Sequence, residues 1–315
     1  MKKTFCILLT LLFACNVFSA GADGSADVII TEESGGEFRP LPINLEGGAP
    51  LKEVTYSSEI SVYQDPTIRV ERGRVESAEW TCTYYYAFIT IRDASQLRTA
   101  SADEFNPFRS SAKTVANGIA RRKNAVLAVN GDYCAAFSGN KSTNYVLRQG
   151  TVYQESAEPG LDMLLIDEDG DFHVLTADQD LQNIDKTQID GKKVINAFQF
   201  GPALVIDGEK VPDEIIMDSS RNPAYAKPGA GEIRMCIAQI DTLHYMVLTC
   251  AHWGMELNRF RDLAMSLADC KTVYTLDGGL SAQLVFLGRK INNIQDHDSN
   301  RPVTDIIYFA SAWYQ

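Results

Sequence analysis

The chain has 315 residues, 45% of them hydrophobic, which is room for one large or two small domains around a packed core. Its formal net charge of -12 argues against a nucleic-acid backbone or an anionic membrane surface as the main partner and leaves at most a local basic pocket for an anion.

The first residues, Met1-Lys2-Lys3 followed by the short apolar run Phe5–Ala14, have the form of a secretory signal, with Ser19, Ala20 and Ala22 as cleavage positions, so residues 1–22 are expected to be removed. Leu12-Phe13-Ala14-Cys15 also resembles a lipobox; a lipoprotein signal would end before Cys15, and a lipid on Cys15 would be the one membrane contact. Either route exports the protein, to the cell envelope or beyond it. Residues 23–52 are rich in Gly, Pro, Glu and Asp and read as a flexible tether ahead of a domain over residues 53–315.

Trp80–Ile91 is aromatic and β-branched enough for a long strand, with Tyr84, Tyr85 and Tyr86 divided between sheet surface and core. Ser111–Arg122 carries Val115 and Ile119 on one helical face, with Ser110 or Ser111 as N-cap, and leads into the apolar strand Ala125–Val129, which ends at Asn130-Gly131-Asp132-Tyr133. Short strands follow at Tyr145–Leu147, Val152–Gln154, Met163–Ile166 and Phe172–Leu175. Asp167-Glu168-Asp169-Gly170-Asp171 has its glycine two places early for an EF-hand, and Asp178 stands where the closing Glu belongs, so it reads as a hairpin turn. Ile195–Phe200 and Ala203–Ile206 flank Gly201-Pro202. Glu232–Ile240 and Leu243–Cys250 pair around Asp241-Thr242, which would set Cys236 nearly opposite Cys250, as a disulfide or as two buried thiols. Met255–Asp269 is a helix feeding the strand Lys271–Leu276, and Leu284–Leu287 and Val303–Ala310 close the chain. The fold class is α+β: a mixed, strand-rich single main domain with helices packed on the sheet.

Two strands thus end in loops that supply Asn130, Gly131 and Asp132 on one side and Asp277, Gly278, Gly279 and Ser281 on the other. Paired glycines let a ligand approach the backbone, and a carboxylate at a strand end can face a cleft. Arg234 lies among apolar neighbours, where a charge needs a partner or a ligand, and Arg301 precedes the last strand. Arginine grips phosphate or carboxylate, while carboxylates act as nucleophile, acid or base in glycoside cleavage. Taken singly, each residue has a structural reading as a turn or an ion pair; together they suit a sugar bearing an anionic group. Other templates fit poorly. Gly279-Leu280-Ser281-Ala282-Gln283 lacks the last glycine of a nucleophile elbow, the four histidines and the cysteines show no zinc spacing, and no P-loop is present, so no metal or cofactor is expected.

Ala128–Tyr133, Phe200–Gly208, Ile233–Ala238 and Leu276–Ser281 occur in an order that resembles the phosphodiester glycosidase family, the one related to the uncovering enzyme N-acetylglucosamine-1-phosphodiester α-N-acetylglucosaminidase; Arg301-Pro302-Val303 is similar to its C-terminal motif. The resemblance covers residues 125–310. It implies hydrolysis of a sugar-1-phosphodiester into sugar and phosphomonoester, which the signal segment would make an exported activity. On the chemistry of its own residues the chain would use Asp277, with Asp132 as a second carboxylate, as catalytic groups, and Asn130, Gly131, Arg234, Gly278, Gly279, Ser281 and Arg301 around the substrate. Leu280, Ala282 and Asp132 depart from the family's usual glycine, serine and glycine. The alternative is a non-catalytic module binding anionic cell-wall or exopolysaccharide polymers through the same arginines.

Overall fold

Ile68–Ser77 and Cys82–Ile91 form the longest hairpin, alternating core residues such as Val70, Ala87 and Ile89 with exposed ones such as Arg69 and Thr90. The computed structural model describes residues 27–45, 47–51, 54–131, 144–218, 232–251, 254–293 and 301–315. The hairpin belongs to a nine-stranded sheet in the order Val28–Ile29, Val62–Asp65, Ile68–Ser77, Cys82–Ile91, His244–Cys250, Met235–Asp241, Thr272–Leu276, Ala203–Ile206, Glu209–Lys210. A five-stranded sheet runs Arg289–Lys290, Leu284–Phe286, Ala125–Asn130, Asp305–Ala310, Leu97–Ser101. A third sheet carries Val146–Arg148, Met163–Asp167 and Lys192–Phe198. The chain is therefore α+β and strand-rich, as its composition and periodicity indicate.

The strands Leu284–Phe286, Ala125–Asn130 and Asp305–Ala310 of the five-stranded sheet are buried on both faces, and period-two alternation sorts their residues. Ile307 and Phe309, with Leu284 and Phe286, enter the main core shared with the nine-stranded sheet. Ile306, Tyr308 and Val285 face a second core under the helix Ala116–Arg122, which contributes Ala116, Ile119 and Ala120. The helix Leu257–Leu267 sends Leu257, Phe260, Leu263 and Ala264 into the main core.

Three expectations change. The first helix begins at Ala116, because Thr114 is drawn into a bridge with Val303; neither Ser110 nor Ser111 caps it, and the Ala116 N–H donates instead to the Gln283 side-chain carbonyl at 3.1 Å. The Met235–Thr249 and Cys236–Leu248 register offsets Cys236 from Cys250 by two residues, and both are free, buried thiols. The described part of residues 23–52 lies against the domain: Val28–Ile29 pairs with Val62–Asp65, Glu37–Phe38 pairs with Trp313–Tyr314, and Leu41 and Ala49 are buried. Its polar composition conceals a strap in which Leu41 and Ala49 are buried, with Phe38 and Leu45 packed beside them, while Ile29 and Ile43 stay exposed. The export signal over residues 1–22, Cys15 included, lies outside the described residues. Gly170, at φ +84°, turns the hairpin between Met163–Asp167 and Phe172–Leu175, and the Lys192 ammonium sits among the carboxylates of Asp167, Asp169 and Asp171 at 3.3, 3.0 and 3.3 Å.

Candidate functional site

All six residues of the strand Ala125–Asn130 are buried, so its position is fixed before the loop beyond it begins. The Asn130 side chain then crosses to the other loop: its Nδ2 donates to the Asp277 carbonyl at 2.7 Å, and its Oδ1 accepts the Gln283 N–H at 3.1 Å. Both ends of the amide are thereby engaged in holding the loop that follows Leu276. The Gly131 N–H donates to the Asp305 carbonyl at 3.0 Å, and a Cβ on Gly131 would stand 2.5 Å from Asp305 Oδ1. Only glycine allows that approach.

The second loop is set by its neighbour in the nine-stranded sheet. Met235 is paired with Leu276, so one step further along the antiparallel register Arg234 stands across from Asp277, and Ile233 across from Gly278. The Gly279 N–H donates to the Ile233 carbonyl at 2.8 Å, and a Cβ on Gly278 would meet that oxygen at 2.2 Å. Gly279 has φ +56° and opens a single 3-10 turn to Ser281. The Ser281 hydroxyl is fully buried and makes no hydrogen bond among the described residues. Leu280 and Ala282, where the loop departs from the family pattern, are packing residues: Ala282 belongs to the main core and Leu280 lies against it.

Arg234 is 7% exposed and Asp277 8%, so both charges are largely desolvated. Burial lowers the Arg234 guanidinium to about 10, against the raising influence of Cys250, Glu232 and Glu256, which leaves it cationic at neutral pH. Its Nε donates to the Met255 carbonyl at 2.8 Å, fixing the stem of the side chain. Cys250, whose sulfur accepts the Arg234 N–H at 2.9 Å, has its thiol pushed up to about 12 by burial and is a neutral packing group, not a nucleophile.

Asn130, Gly131, Arg234, Asp277, Gly278, Gly279 and Ser281 are thus brought to one place, where strands of two sheets end side by side. Arg301 joins through its backbone: its carbonyl accepts the Gln283 amide at 2.7 Å, while its side chain is exposed. Asp132 lies outside the described residues. Two features escape sequence reading. Gln283 is a buried hub, bonding Asn130 through its backbone and the helix start and Arg301 through its side chain. Arg148 and Asp305 form a buried ion pair at 3.2 Å directly behind Gly131, with the Arg148 guanidinium 3.9 Å from the Phe198 ring centroid. An arginine ending the apolar strand Val146–Arg148 carries the same signal that marks Arg234.

The phosphodiester glycosidase family model matches residues 123–310, which takes in both strand-end loops, Arg234 and Arg301. No match was found among curated protein sequences. The fold is similar to that of the zebrafish N-acetylglucosamine-1-phosphodiester alpha-N-acetylglucosaminidase catalytic domain auto-inhibited by its pro-peptide: TM-score 0.60 at 12% identity over 78% of this chain and 84% of that one. A hypothetical protein from Synechocystis is similar at TM-score 0.52 and 14% identity, over 78% of this chain and 63% of that one.

Proposed function

The chain belongs to the phosphodiester glycosidase family, and on that premise we propose that it hydrolyses a sugar-1-phosphodiester, releasing the sugar and a phosphomonoester, as an exported protein acting on cell-surface or extracellular glycans. The observation that carries the reading is the position of Arg234 across from Asp277 at adjoining strand ends: a buried cation for the phosphate beside a buried carboxylate for the sugar.

In the proposed reaction the bond between the anomeric carbon and the phosphate oxygen breaks, the electron pair leaves with the phosphate, and water supplies the oxygen that replaces it. Arg234, with Arg301 at the rim, holds the phosphodiester and stabilises the charge that collects on the departing group; in a desolvated setting such a fixed cation acts strongly. A phosphate leaves readily, so little proton donation is needed. Asp277 stabilises the oxocarbenium-like centre or takes the proton from the attacking water. Asp132 is the proposed second carboxylate, and its separation from Asp277 would decide between retention and inversion. The Ser281 hydroxyl and the loop N–H groups orient sugar hydroxyls. Asn130 serves from behind by fixing the Asp277 loop.

The test is to incubate the protein with a panel of sugar-1-phosphodiesters and identify both products. Asp277→Asn should abolish turnover in a protein that remains folded. Arg234→Gln should suppress phosphodiester cleavage far more than cleavage of an uncharged aryl glycoside; equal losses on both would refute phosphate recognition by Arg234.

A further inference from the structure

At the opposite end of the Ala125–Asn130 strand from the candidate active site, the described residues enclose an open cleft of about 610 Å³. The strand has six residues and spans about 17–20 Å, so the two places are separate. The cleft lies within the size range of small-molecule sites, roughly 300–1,000 Å³. Its walls are Tyr56 and Val54 on one side, Arg121 and Asn124 at the end of the helix Ala116–Arg122, and the Leu287–Arg289 turn. Among the described residues no carboxylate lines it.

Two arginines give the cleft its chemistry. Among the described residues Arg69, Arg74, Arg122 and Arg261 each have a carboxylate within salt-bridge distance, whereas others, such as Arg92, Arg109 and Arg259, are held by aromatic rings or backbone carbonyls without one. Arg121 and Arg289 have none among the described residues, yet both are oriented. Arg121 Nε donates to the Gly288 carbonyl at 2.8 Å, which fixes the plane of its guanidinium. Arg289 lies over the Tyr56 ring, 5.6 Å from its centroid. Gly288 has φ +73°, and a Cβ there would stand 2.8 Å from Arg121 Cγ, so the glycine lets the turn close on the arginine. Arg121 also offsets the carbonyl end of its helix, but Arg122 and Lys123, both paired with Glu104, share that task.

Oriented but unneutralised guanidinium groups in one concavity are the arrangement that recognises a compact oxyanion, and the apolar lining from Leu51, Val54 and Leu287 suits the face of a sugar ring. We propose that this cleft is a second binding site, for a saccharide bearing a phosphate or carboxylate, with Arg121 and Arg289 as its anion-gripping residues and Tyr56 as the ring that holds Arg289 in place. On a glycan with repeated anionic groups, the two sites would engage one polymer and raise its residence time by effective concentration.

The experiment is amide hydrogen exchange on the full chain with glucose 1-phosphate, glucuronate and uncharged glucose as probes. The expected result is slower exchange in the segments around Tyr56 and Gly288-Arg289 with glucose 1-phosphate, with glucuronate or with both; which of them protects identifies phosphate or carboxylate as the natural group. Glucose should have no effect. Arg121→Gln combined with Arg289→Gln should weaken the protecting ligand roughly tenfold or more, while Arg121→Lys with Arg289→Lys should retain part of the affinity. Hydrolysis of a short phosphodiester should be unchanged in both variants, which also verifies their folding. Protection by neither anion, or protection that survives the double Gln variant, would overturn the proposal. The exchange readout is local to the cleft, so it stands or fails independently of the hydrolytic activity.

Discussion

Asn130→Ala separates a clip from a sugar ligand. The substitution removes the donor to the Asp277 carbonyl and the acceptor of the Gln283 N–H, both in a fully buried setting. Each backbone group left unsatisfied there costs about 1–3 kcal/mol, so the domain should lose about 2–5 kcal/mol once partial relaxation is allowed. For a domain of this size that is a fall in Tm of about 4–10 °C. Differential scanning calorimetry and urea unfolding read it directly, and hydrolysis should fall chiefly through kcat, because the Asp277 loop is what moves. Asn130→Asp should be worse than its size suggests: the Gln283 N–H keeps an acceptor, but the donor facing the Asp277 carbonyl becomes a second acceptor carrying buried charge. A variant of unchanged Tm with a raised KM would refute the clip and return Asn130 to direct contact with the sugar.

Gly278→Ala must force apart the Ile233 and Gly278 backbones, since the new Cβ would stand 2.2 Å from the Ile233 carbonyl; a stability loss of about 1–3 kcal/mol and loss of activity are expected, measured by urea unfolding beside turnover. Arg148→Met leaves Asp305 buried without its cation and should cost about 3–5 kcal/mol, and adding Asp305→Leu should restore much of that in the same unfolding assay. His173, 2.9 Å from the Asp167 carboxylate, has its ionisation raised above 6.5 chiefly by that hydrogen bond, against the opposing effect of burial. Its stabilisation is therefore full below pH 6.5 and is lost as pH rises through the folded value. The difference in urea midpoint between the wild type and His173→Gln should shrink from about pH 5.5 to about pH 8.5; a constant difference would show that the imidazolium contributes nothing.

Much of the architecture is legible along the chain. Aromatic and β-branched residues mark Cys82–Ile91, and a continuous apolar run marks Ala125–Val129, because a strand buried on both faces leaves no polar side to alternate. Boundaries fail where a long-range partner intervenes. Thr114 is an acceptable helix residue locally, but Val303, distant in sequence, takes its backbone into a bridge. The strap around Leu41 reads as linker because three or four apolar residues cannot announce sockets built from distant strands.

The candidate site divides in the same way. The residue types and their order, a strand-ending Asn-Gly, an arginine in an apolar run and an Asp-Gly-Gly loop, are properties of the sequence by itself, and they suffice to indicate sugar and anion chemistry. That Arg234 stands across from Asp277 is a matter of strand register, and that Asn130 spends its amide on the loop backbone depends on two sheets meeting. Gln283 and the Arg148–Asp305 pair become visible only in three dimensions, because a buried polar side chain is defined by partners that folding brings to it. Local preference is written into each short stretch, whereas register, burial and pairing arise from contacts between residues far apart in the chain.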